Sequence, residues 1–393
     1  PGIPFGSFMT LAVITGGIAW LNRGKIAKRQ AAKEEEERQM LEGPQAKPME
    51  EDITETLQID NLRLELGYGL LPLINYQKGH RLTDQIKALR KQMARELGFV
   101  IPAVRIQDNM QLPANTYVIR VKEVEAGRGD VRPDMLLVMD PGGGKIGIPG
   151  EETTEPTFGL PAMWVADSHR EEALFKNYTV VDPPTVITTH LTEIIKENMS
   201  DLLSYAETQK LLDDIDKEHQ KLVADTVPGQ ISVSGMQRIL QNLLQEMVSI
   251  RDMPAILEAV AESSRVSSNL TMITEHVRMR LARQISYAHT NEDGYIPIVA
   301  LSGQWEQTFA EALGGSGEDR SLSMAPSKIQ EFVAIIRKRF DQFAMQGDMP
   351  VLLTSPGIRP YVRSVVERFR PNTVVMSQNE IHPKAKIKTL GQI

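Results

Sequence analysis

A glycine-rich stretch, Pro141-Gly142-Gly143-Gly144-Lys145, has residue types and spacing that could support chemistry. Such loops can cradle phosphate groups with backbone N–H groups, and the Walker version needs Ser or Thr after the lysine to hold Mg²⁺. Ile146 stands at that position. Turn chemistry therefore favours a turn that connects two strands. A membrane-tethered enzyme that binds nucleotides through Lys145 is kept as the less favoured alternative.

Side chains that bind metals or act as nucleophiles lack the required spacing elsewhere. Seven histidines are scattered without an HExxH pattern, and there is no cysteine to complete a zinc site. No G-x-S-x-G sequence is present to supply a serine nucleophile. We therefore predict no catalytic residue, no metal site and no cofactor, and we do not expect an enzyme.

A basic cluster near the C-terminus consists of four arginines, Arg359, Arg363, Arg368 and Arg370. A helix through this segment would bury its opposite, apolar side, on which Val362, Val365 and Phe369 lie. The chain has a formal net charge of -7, which gives no overall attraction to phosphate backbones. We therefore predict that the arginines form a solvated or intersubunit face and that the protein binds no nucleic acid.

The elements that carry these arginines form a strand-helix-strand unit. Pro350–Thr354 is predicted as a strand, the segment from Ile358 to Phe369 as an amphipathic helix, and Thr373–Met376 as a second strand. Strands joined by such a crossover pair in parallel. A long helix from about Pro326 to Met345 is predicted immediately before this unit.

A smaller mixture of strands and one helix is predicted before the glycine-rich stretch. Leu62–Leu66 alternates like a strand, and apolar residues at helical spacing from Leu82 to Leu97 are followed by Gly98 as a stop signal. Val100–Ile106 and Thr116–Val124 are predicted as further strands. This part of the chain should form a small α/β layer.

The middle of the chain changes from strands to helices. Between Pro133 and Asp182, short apolar runs alternate with Gly and Pro turns, which predicts strands near Met135–Met139, Met163–Val165 and Tyr178–Val181. The following hundred or so residues have helical periodicity. One buried helical stripe is predicted from Met236, Ile239, Leu240, Leu243, Leu244 and Met247.

The first residues have the pattern of a membrane anchor. No charged side chain occurs from Ile3 to Leu21, and roughly 19 residues at about 1.5 Å each nearly cross a hydrocarbon core of about 30 Å. Trp20 and several basic residues follow, as expected on a cytoplasmic face. A signal peptide would carry its basic residues before the apolar run, so a buried core helix is the remaining alternative. Residues 22–56 are predicted as a solvated linker.

Several motifs carry a family resemblance. At the C-terminus they are Pro350-Val351-Leu352-Leu353-Thr354-Ser355-Pro356, Ile358-Arg359-Pro360, Glu367-Arg368-Phe369-Arg370-Pro371 and Ser377-Gln378-Asn379-Glu380-Ile381. Leu64–Leu73 and Glu155–Trp164 add to them. Together they resemble the FlhA family of flagellar type III export-gate proteins, over nearly the whole chain from residue 57. Pro1-Gly2-Ile3-Pro4 is similar to the start of that family's last membrane helix.

The predicted fold class is α+β multidomain, with one N-terminal transmembrane helix (1–21), the linker (22–56) and four small cytoplasmic subdomains. From the residue patterns and the resemblance, the first subdomain is α/β and consists of 57–133 and 183–202. The second, inserted into it, is a strand-rich α/β unit at 134–182. The third is all-α at 203–282, and the fourth is α/β at 283–393.

The resemblance implies an export-gate component of the bacterial inner membrane, with residues after about 22 in the cytoplasm. It implies a homo-oligomeric ring, nonameric in this family. Its implied partners are flagellar export chaperones with bound cargo, other membrane components of the export apparatus, the export ATPase complex and the lipid bilayer. The homologous gate of a virulence injectisome is the closest alternative, and the ending Asn379-Glu380-Ile381 favours the flagellar branch.

In that family, a cleft between the first two subdomains receives chaperone–cargo complexes through an apolar dimple. The positions that match the dimple here are Phe158, Met139, Pro141, Leu160, Val181 and Val186, and Glu155 and Thr189 match positions beside it. Phe158 lies in a turn-rich stretch where an aromatic side chain can stay accessible to a partner. Burial of Phe158 in the core of its own subdomain is the alternative.

Overall fold

The computed structural model describes residues 59–74, 81–315 and 320–393. The predicted membrane span and the predicted linker lie outside these ranges. Residues 60–393 group into one unit by their internal contacts. Within the described ranges, no helix combines the length and the apolar character that crossing a bilayer requires.

The first sheet has four strands in the order β2-β1-β3-β4. They are β1 Leu62–Leu66, β2 Val104–Asp108, β3 Thr116–Val121 and β4 Val124–Asp130. Helix α1, Leu82–Leu97, packs beside them and ends at Gly98, whose φ of 91° is favourable only for glycine. The strand predicted at Val100–Ile106 begins later, at Val104. Pro102 offers a physical reason, because it has no N–H to donate to a strand ladder.

The single strand predicted at Thr116–Val124 is wrong, because this segment is a hairpin. Val121 pairs with Val124, so Lys122 and Glu123 form a two-residue turn with φ values of 48° and 68°. Two consecutive positive φ values define the turn type whose twist matches that of the flanking strands. Asn-Gly is the usual sequence for such a turn, and its absence explains why no turn is predicted between Val121 and Val124.

The second sheet is antiparallel, with the order β6-β7-β5-β8. Its strands are β5 Met135–Met139, β6 Glu151–Thr154, β7 Pro161–Ala166 and β8 Thr179–Val181, with a short helix α2 at Arg170–Phe175. Side chains alternate between two cores, as the strand period requires. Leu137 and Trp164 join the main core, whereas Val138 and Val165 join a small separate core.

A run of helices follows this sheet. They are α3 Pro183–Glu197, α4 Met199–Leu202, α5 Tyr205–Asp213, α6 Gln220–Thr226, α7 Val233–Gln245, α8 Met253–Ser263, α9 Leu270–Arg280 and α10 Ala282–Ala288. The predicted stripe on α7 is buried from Met236 to Leu244. Met247 is an exception, because α7 has ended, and Met247 has a φ of 56° and is 44% exposed. The positive φ after the helix end turns this side chain away from the stripe.

The third sheet is parallel, with the order β13-β12-β9-β14. Its strands are β9 Ile296–Ala300, β12 Val351–Thr354, β13 Val375–Ser377 and β14 Ile387–Gln392. Helices α11 Gly303–Glu311, α12 Pro326–Met345 and α13 Arg359–Val366 accompany it, with a small ribbon of β10 Leu313–Gly314 and β11 Ser321–Leu322. The predicted helix from Pro326 to Met345 and the predicted parallel strand-helix-strand unit are confirmed.

Short 3-10 turns complete the described elements at Tyr68–Leu73, Asp167–His169, Lys217–His219 and Gln378–Glu380. Over residues 59–74, 81–315 and 320–393 the architecture is thus a mixed α and β fold with three four-stranded sheets and a helical region between the second and third sheets. The four-subdomain boundaries drawn from the sequence stay a prediction.

Candidate docking site

The loop between β6 and β7, residues 155–160, is closed by its own backbone. Glu155 N–H donates to the Leu160 carbonyl at 2.8 Å, and Gly159 N–H donates to the Glu155 carbonyl at 3.0 Å. Gly159 has a φ of 69°, which a side chain would strain. This hairpin loop therefore has a defined shape that does not depend on a partner.

The side chain of Glu155 adds a third bond inside the hairpin loop. Glu155 is only 4% exposed, and its carboxylate accepts the Phe158 N–H at 2.7 Å. A carboxylate that accepts a backbone N–H in this way holds the loop more firmly than a neutral acceptor does. The same loop leaves the Phe158 side chain 61% exposed and Leu160 50% exposed. Phe158 is therefore not packed in the core of its own unit.

The charge of Glu155 also affects a buried pair of side chains, Tyr117 and His190. The Tyr117 hydroxyl on β3 lies 2.8 Å from Nδ1 of His190 on α3. Burial raises the pKa of Tyr117, and the negative charge of Glu155 raises it further. Burial lowers the pKa of His190, and the Glu155 charge acts in the opposite direction. The charge of Glu155 thus acts on both members of this pair.

Two glycines on β4 leave room for this pair. A Cβ atom at Gly129 would lie 2.6 Å from the Tyr117 hydroxyl oxygen, and one at Gly127 would lie 2.9 Å from Nε2 of His190. Real Cβ atoms do not approach so closely. Sequence reasoning missed Tyr117 and His190, although glycines two residues apart on one strand can indicate a close neighbour.

The strand register brings other predicted docking residues to the hairpin end of the second sheet. Val138 on β5 pairs with Met163 on β7, so the antiparallel strand β7 begins where β5 ends. Met139 and the exposed Pro141 are consequently at the same sheet end as the hairpin loop. Val181 on β8 pairs with Leu137, which lies two residues before Met139 on β5 and so farther from the hairpin end. Val181 is half-buried.

The two predicted residues on α3 have different surroundings. Val186 is 2% exposed and belongs to the main core, so it presents almost no surface. Thr189 is half-buried and precedes His190 in sequence. The predicted set therefore divides into accessible residues, namely Phe158, Leu160 and Pro141, half-buried residues, namely Met139, Val181 and Thr189, and the buried supports Glu155 and Val186.

The glycine-rich loop has an internal acceptor for its amides. The Asp140 carboxylate accepts N–H bonds from Gly142 and Gly144, both at 2.9 Å, and the Asp140 carbonyl accepts the Gly143 N–H at 3.0 Å. This is the self-bonding that aspartate provides in turns. The loop joins β5 to β6 as a turn, and these amides do not form a vacant phosphate cradle.

The prediction of a solvated arginine face is wrong for Arg359 and Arg363, which are 2% and 9% exposed. Arg359 donates to Glu246 at 2.7 Å and to Glu275 at 2.6 Å. Arg363 donates to backbone carbonyls instead, including that of Thr373 at 2.8 Å. Buried cations need such partners, because an unpaired charge in the interior is very costly.

The buried ion cluster, which we define as Arg278, Arg359, Arg363, Glu246, Glu275 and Glu380, joins the helical region to the third sheet. Arg278 on α9 donates to Glu380 at 2.5 Å. Burial alone would raise the pKa of Glu246, but the charges of Arg278, Arg359 and Arg363 outweigh burial and lower this pKa from 4.5 to about 2. Glu246 is therefore ionised at neutral pH.

In the same C-terminal segment, the prediction is wrong for Phe369 and confirmed for Arg368. Phe369, predicted to be buried, is 42% exposed, and the Arg337 guanidinium lies 5.7 Å from its ring centre. The helix α13 ends at Val366, so Phe369 no longer continues its apolar side. Arg368 is exposed as predicted.

Two solved structures resemble this chain in fold. The Chlamydia pneumoniae CdsV protein matches with a TM-score of 0.76 and 24% identity, covering 90% of this chain and 99% of that one. The nonameric EscV cytosolic domain from the type III secretion system matches with a TM-score of 0.66 and 21% identity, covering 85% and 97%. This chain therefore has the same fold as these two proteins.

Sequence comparison gives a narrower assignment. The model of the FHIPEP family matches residues 1–386. The flagellar biosynthesis protein FlhA of Caulobacter vibrioides is 53% identical over 393 residues, which is all of this chain and 56% of that protein. The chain belongs to the FHIPEP family, and it spans little more than half the length of this relative.

Proposed function

We propose that this chain is part of a membrane export gate of flagellar type III secretion and that it docks chaperone–cargo complexes at the hairpin loop. The exposed Phe158, held outward by Glu155 and by the closed backbone of the loop, is the observation that carries this proposal. A large aromatic side chain on a preorganised loop is the kind of residue that dominates interface energies. Leu160 and Pro141 extend the accessible surface around it.

The flagellar assignment rests on degree of similarity. The Caulobacter relative named for flagellar biosynthesis is 53% identical, whereas the solved secretion domains described above are 21–24% identical. An injectisome gate is therefore the second candidate. A pull-down with flagellar chaperones compared with injectisome chaperones distinguishes the two, since only cognate chaperones should be retained.

The proposal includes the wider setting that the family resemblance implies. The segment 3–21 crosses the bacterial inner membrane, and the residues after about 22 lie in the cytoplasm. The cytoplasmic part forms a ring of identical subunits, which is supported by the description of the EscV cytosolic domain as nonameric. Other membrane components of the apparatus and its ATPase complex act with the ring, and the gate itself catalyses no reaction.

Replacing Phe158 by Ala tests the docking role. We expect chaperone–cargo binding to weaken by roughly 1–3 kcal/mol, because truncation of a central aromatic anchor typically costs this much. Isothermal titration calorimetry with a flagellar chaperone–cargo complex measures the change. The matched control is Phe175→Ala, since Phe175 is 88% exposed but lies on α2, outside the hairpin loop. Equal affinities for Phe158→Ala and the unaltered chain would contradict the proposal.

A further inference from the structure

A second surface, which we call the basic cleft, is separate from the hairpin loop. It is lined by Arg283, Tyr287, His382, Lys384 and Ala385 and has a volume of about 380 Å³. Arg283 and Tyr287 are four residues apart on α10, so they share one face of that helix. The other lining residues follow the turn at Gln378–Glu380.

The two walls of the basic cleft are held together by buried hydrogen bonds. The Ser286 hydroxyl donates to the Glu380 carbonyl at 3.1 Å and accepts the His382 N–H at 2.8 Å. Glu380 is itself fixed, because its carboxylate accepts from Arg278 and from the Ser377 N–H. The spacing between α10 and the residues after Glu380 is therefore set before any ligand arrives, which lowers the cost of binding.

The lining is cationic and aromatic. Among the residues that the structure describes, Arg283 and Lys384 are exposed and make no ion pair. His382 Nδ1 accepts the Lys384 N–H at 3.3 Å, which leaves Nε2 as the ring nitrogen that can donate. Tyr287 is 85% exposed. In the described part of the chain no carboxylate lines the cleft, and the neighbouring Glu380 is 1% exposed and paired with Arg278.

We propose that the basic cleft binds an acidic peptide segment of a partner protein. Arginine presents a planar fork of donors that matches a carboxylate, and lysine adds a second positive charge nearby. Tyr287 offers a face for the side chain or backbone between two acidic residues. The cations lie in one small cleft, whereas the chain as a whole has a net charge of -7. A small cationic cleft suits a short acidic peptide better than an extended anionic lipid surface, which the negative chain would repel.

This inference is independent of the docking role of Phe158, because it concerns different residues and a different ligand. The test uses the full 393-residue chain and fluorescein-labelled hexaglutamate, with labelled hexaglutamine as the uncharged peptide. Fluorescence anisotropy at low salt measures both affinities. We expect hexaglutamate to bind and hexaglutamine to bind at least about tenfold more weakly, because the cleft supplies charge-assisted bonds only to carboxylates.

The variant that removes the proposed contacts is Arg283→Gln with Lys384→Gln. We expect it to bind hexaglutamate at least about tenfold more weakly, since each lost charge pair weakens the complex. The matched control, Lys221→Gln with Arg238→Gln, removes the same charge from two exposed positions of the helical region. The control should keep its affinity within about twofold, because neither of its two residues lines the cleft. Circular dichroism confirms that both double variants fold.

Three outcomes would overturn the inference. They are equal binding of the two peptides, an equal loss of affinity in the control variant, and binding of phosphatidylglycerol vesicles through Arg283 and Lys384 without binding of hexaglutamate. The last outcome would assign the cleft to a lipid surface. None of these results changes the expected effect of Phe158→Ala on chaperone–cargo binding, so the two proposals can fail separately.

Discussion

The hairpin loop and the buried ion cluster both depend on glutamates that are buried or half-buried, and they use them in opposite ways. At the hairpin loop, Glu155 bonds a backbone N–H of the loop, and the neighbouring aromatic side chain of Phe158 stays exposed. In the cluster, Glu246 and Glu275 bond Arg359, and the charges on both sides are withdrawn from solvent. The first carboxylate shapes a surface, whereas the others connect distant parts of the chain.

Burial of a charge therefore does not by itself identify a functional site, since it occurs both at the hairpin loop and in the buried ion cluster. A carboxylate that neutralises a buried cation satisfies both charges and presents nothing to a partner. A carboxylate that bonds a loop amide instead fixes the direction in which the next side chain points. The partner of each buried charge is therefore more informative than its burial.

Removal of the central arginine should produce the largest effect on stability. Arg359→Met leaves the half-buried Glu246 and Glu275 without this cation, and we expect the free energy of unfolding to fall by about 3–5 kcal/mol. Chemical denaturation of the chain measures the change. The matched control is Arg370→Met, because the Arg370–Asp341 pair lies at the surface and should contribute about 0–1 kcal/mol. Similar losses in both variants would remove the distinction between the cluster and a surface ion pair.

The pH dependence of the free energy of unfolding should also distinguish the buried ion cluster from surface charges. The pKa of Glu246 is lowered from 4.5 to about 2 in the folded chain, so its contribution is present above pH 4.5 and is lost as the pH falls towards 2. We expect the free energy of unfolding to decline over this window and the decline to be shallower in Glu246→Gln. Denaturation series at several pH values measure the slope. Glu152→Gln, an exposed control, should keep the original slope, and a shallower slope in both variants would contradict the role of Glu246.

The support that Glu155 gives to the hairpin loop should have a moderate effect. Glu155→Ala removes the acceptor of the Phe158 N–H, and we expect chaperone–cargo binding to weaken by about 1 kcal/mol, the usual size of one hydrogen bond. Glu155→Gln keeps a carbonyl acceptor and should lose less. Titration calorimetry gives the affinities, and faster hydrogen exchange at the Phe158 amide in the Ala variant reports on the loop. If Gln behaves like Ala in both measurements, Glu155 does not position the loop through this bond.

The smallest effect is expected at the glycine-rich loop. Because Asp140 already accepts the Gly142 and Gly144 amides, Lys145→Ala should change neither stability nor chaperone–cargo binding by more than about 0.5 kcal/mol. Titration with ATP should give no binding that depends on Lys145. Tight nucleotide binding that disappears in Lys145→Ala would restore the alternative of a nucleotide-binding enzyme.

Local patterns predicted two of the four strands of the third sheet and the long helix before them, but not β9, β14 or α11. The helix Pro326–Met345 and the parallel pairing of β12 with β13 follow from apolar periodicity and from the short connections of the unit. The β3–β4 hairpin escaped prediction, because Lys122 and Glu123 adopt positive φ values without the usual glycine. The backbone conformation there is imposed by strand pairing rather than by residue preference.

Contacts between distant residues explain the remaining differences. Arg359 and Glu246 are separated by 113 positions, so no local pattern could show that the basic cluster would be neutralised inside the fold. At the candidate site, the resemblance pointed to Glu155 and Phe158. The bond between them and the Tyr117–His190 pair depend on three-dimensional packing and became visible only in the structure.

Site-specific photocrosslinking tests the docking account most directly. The photoreactive amino acid p-benzoylphenylalanine would replace Phe158 in one variant and Phe175 in another, and each would be irradiated with a flagellar chaperone–cargo complex. We expect a crosslink to the chaperone or its cargo from position 158 and much less from position 175, although Phe175 is the more exposed residue. No crosslink from position 158, or equal yields from both positions, would contradict it.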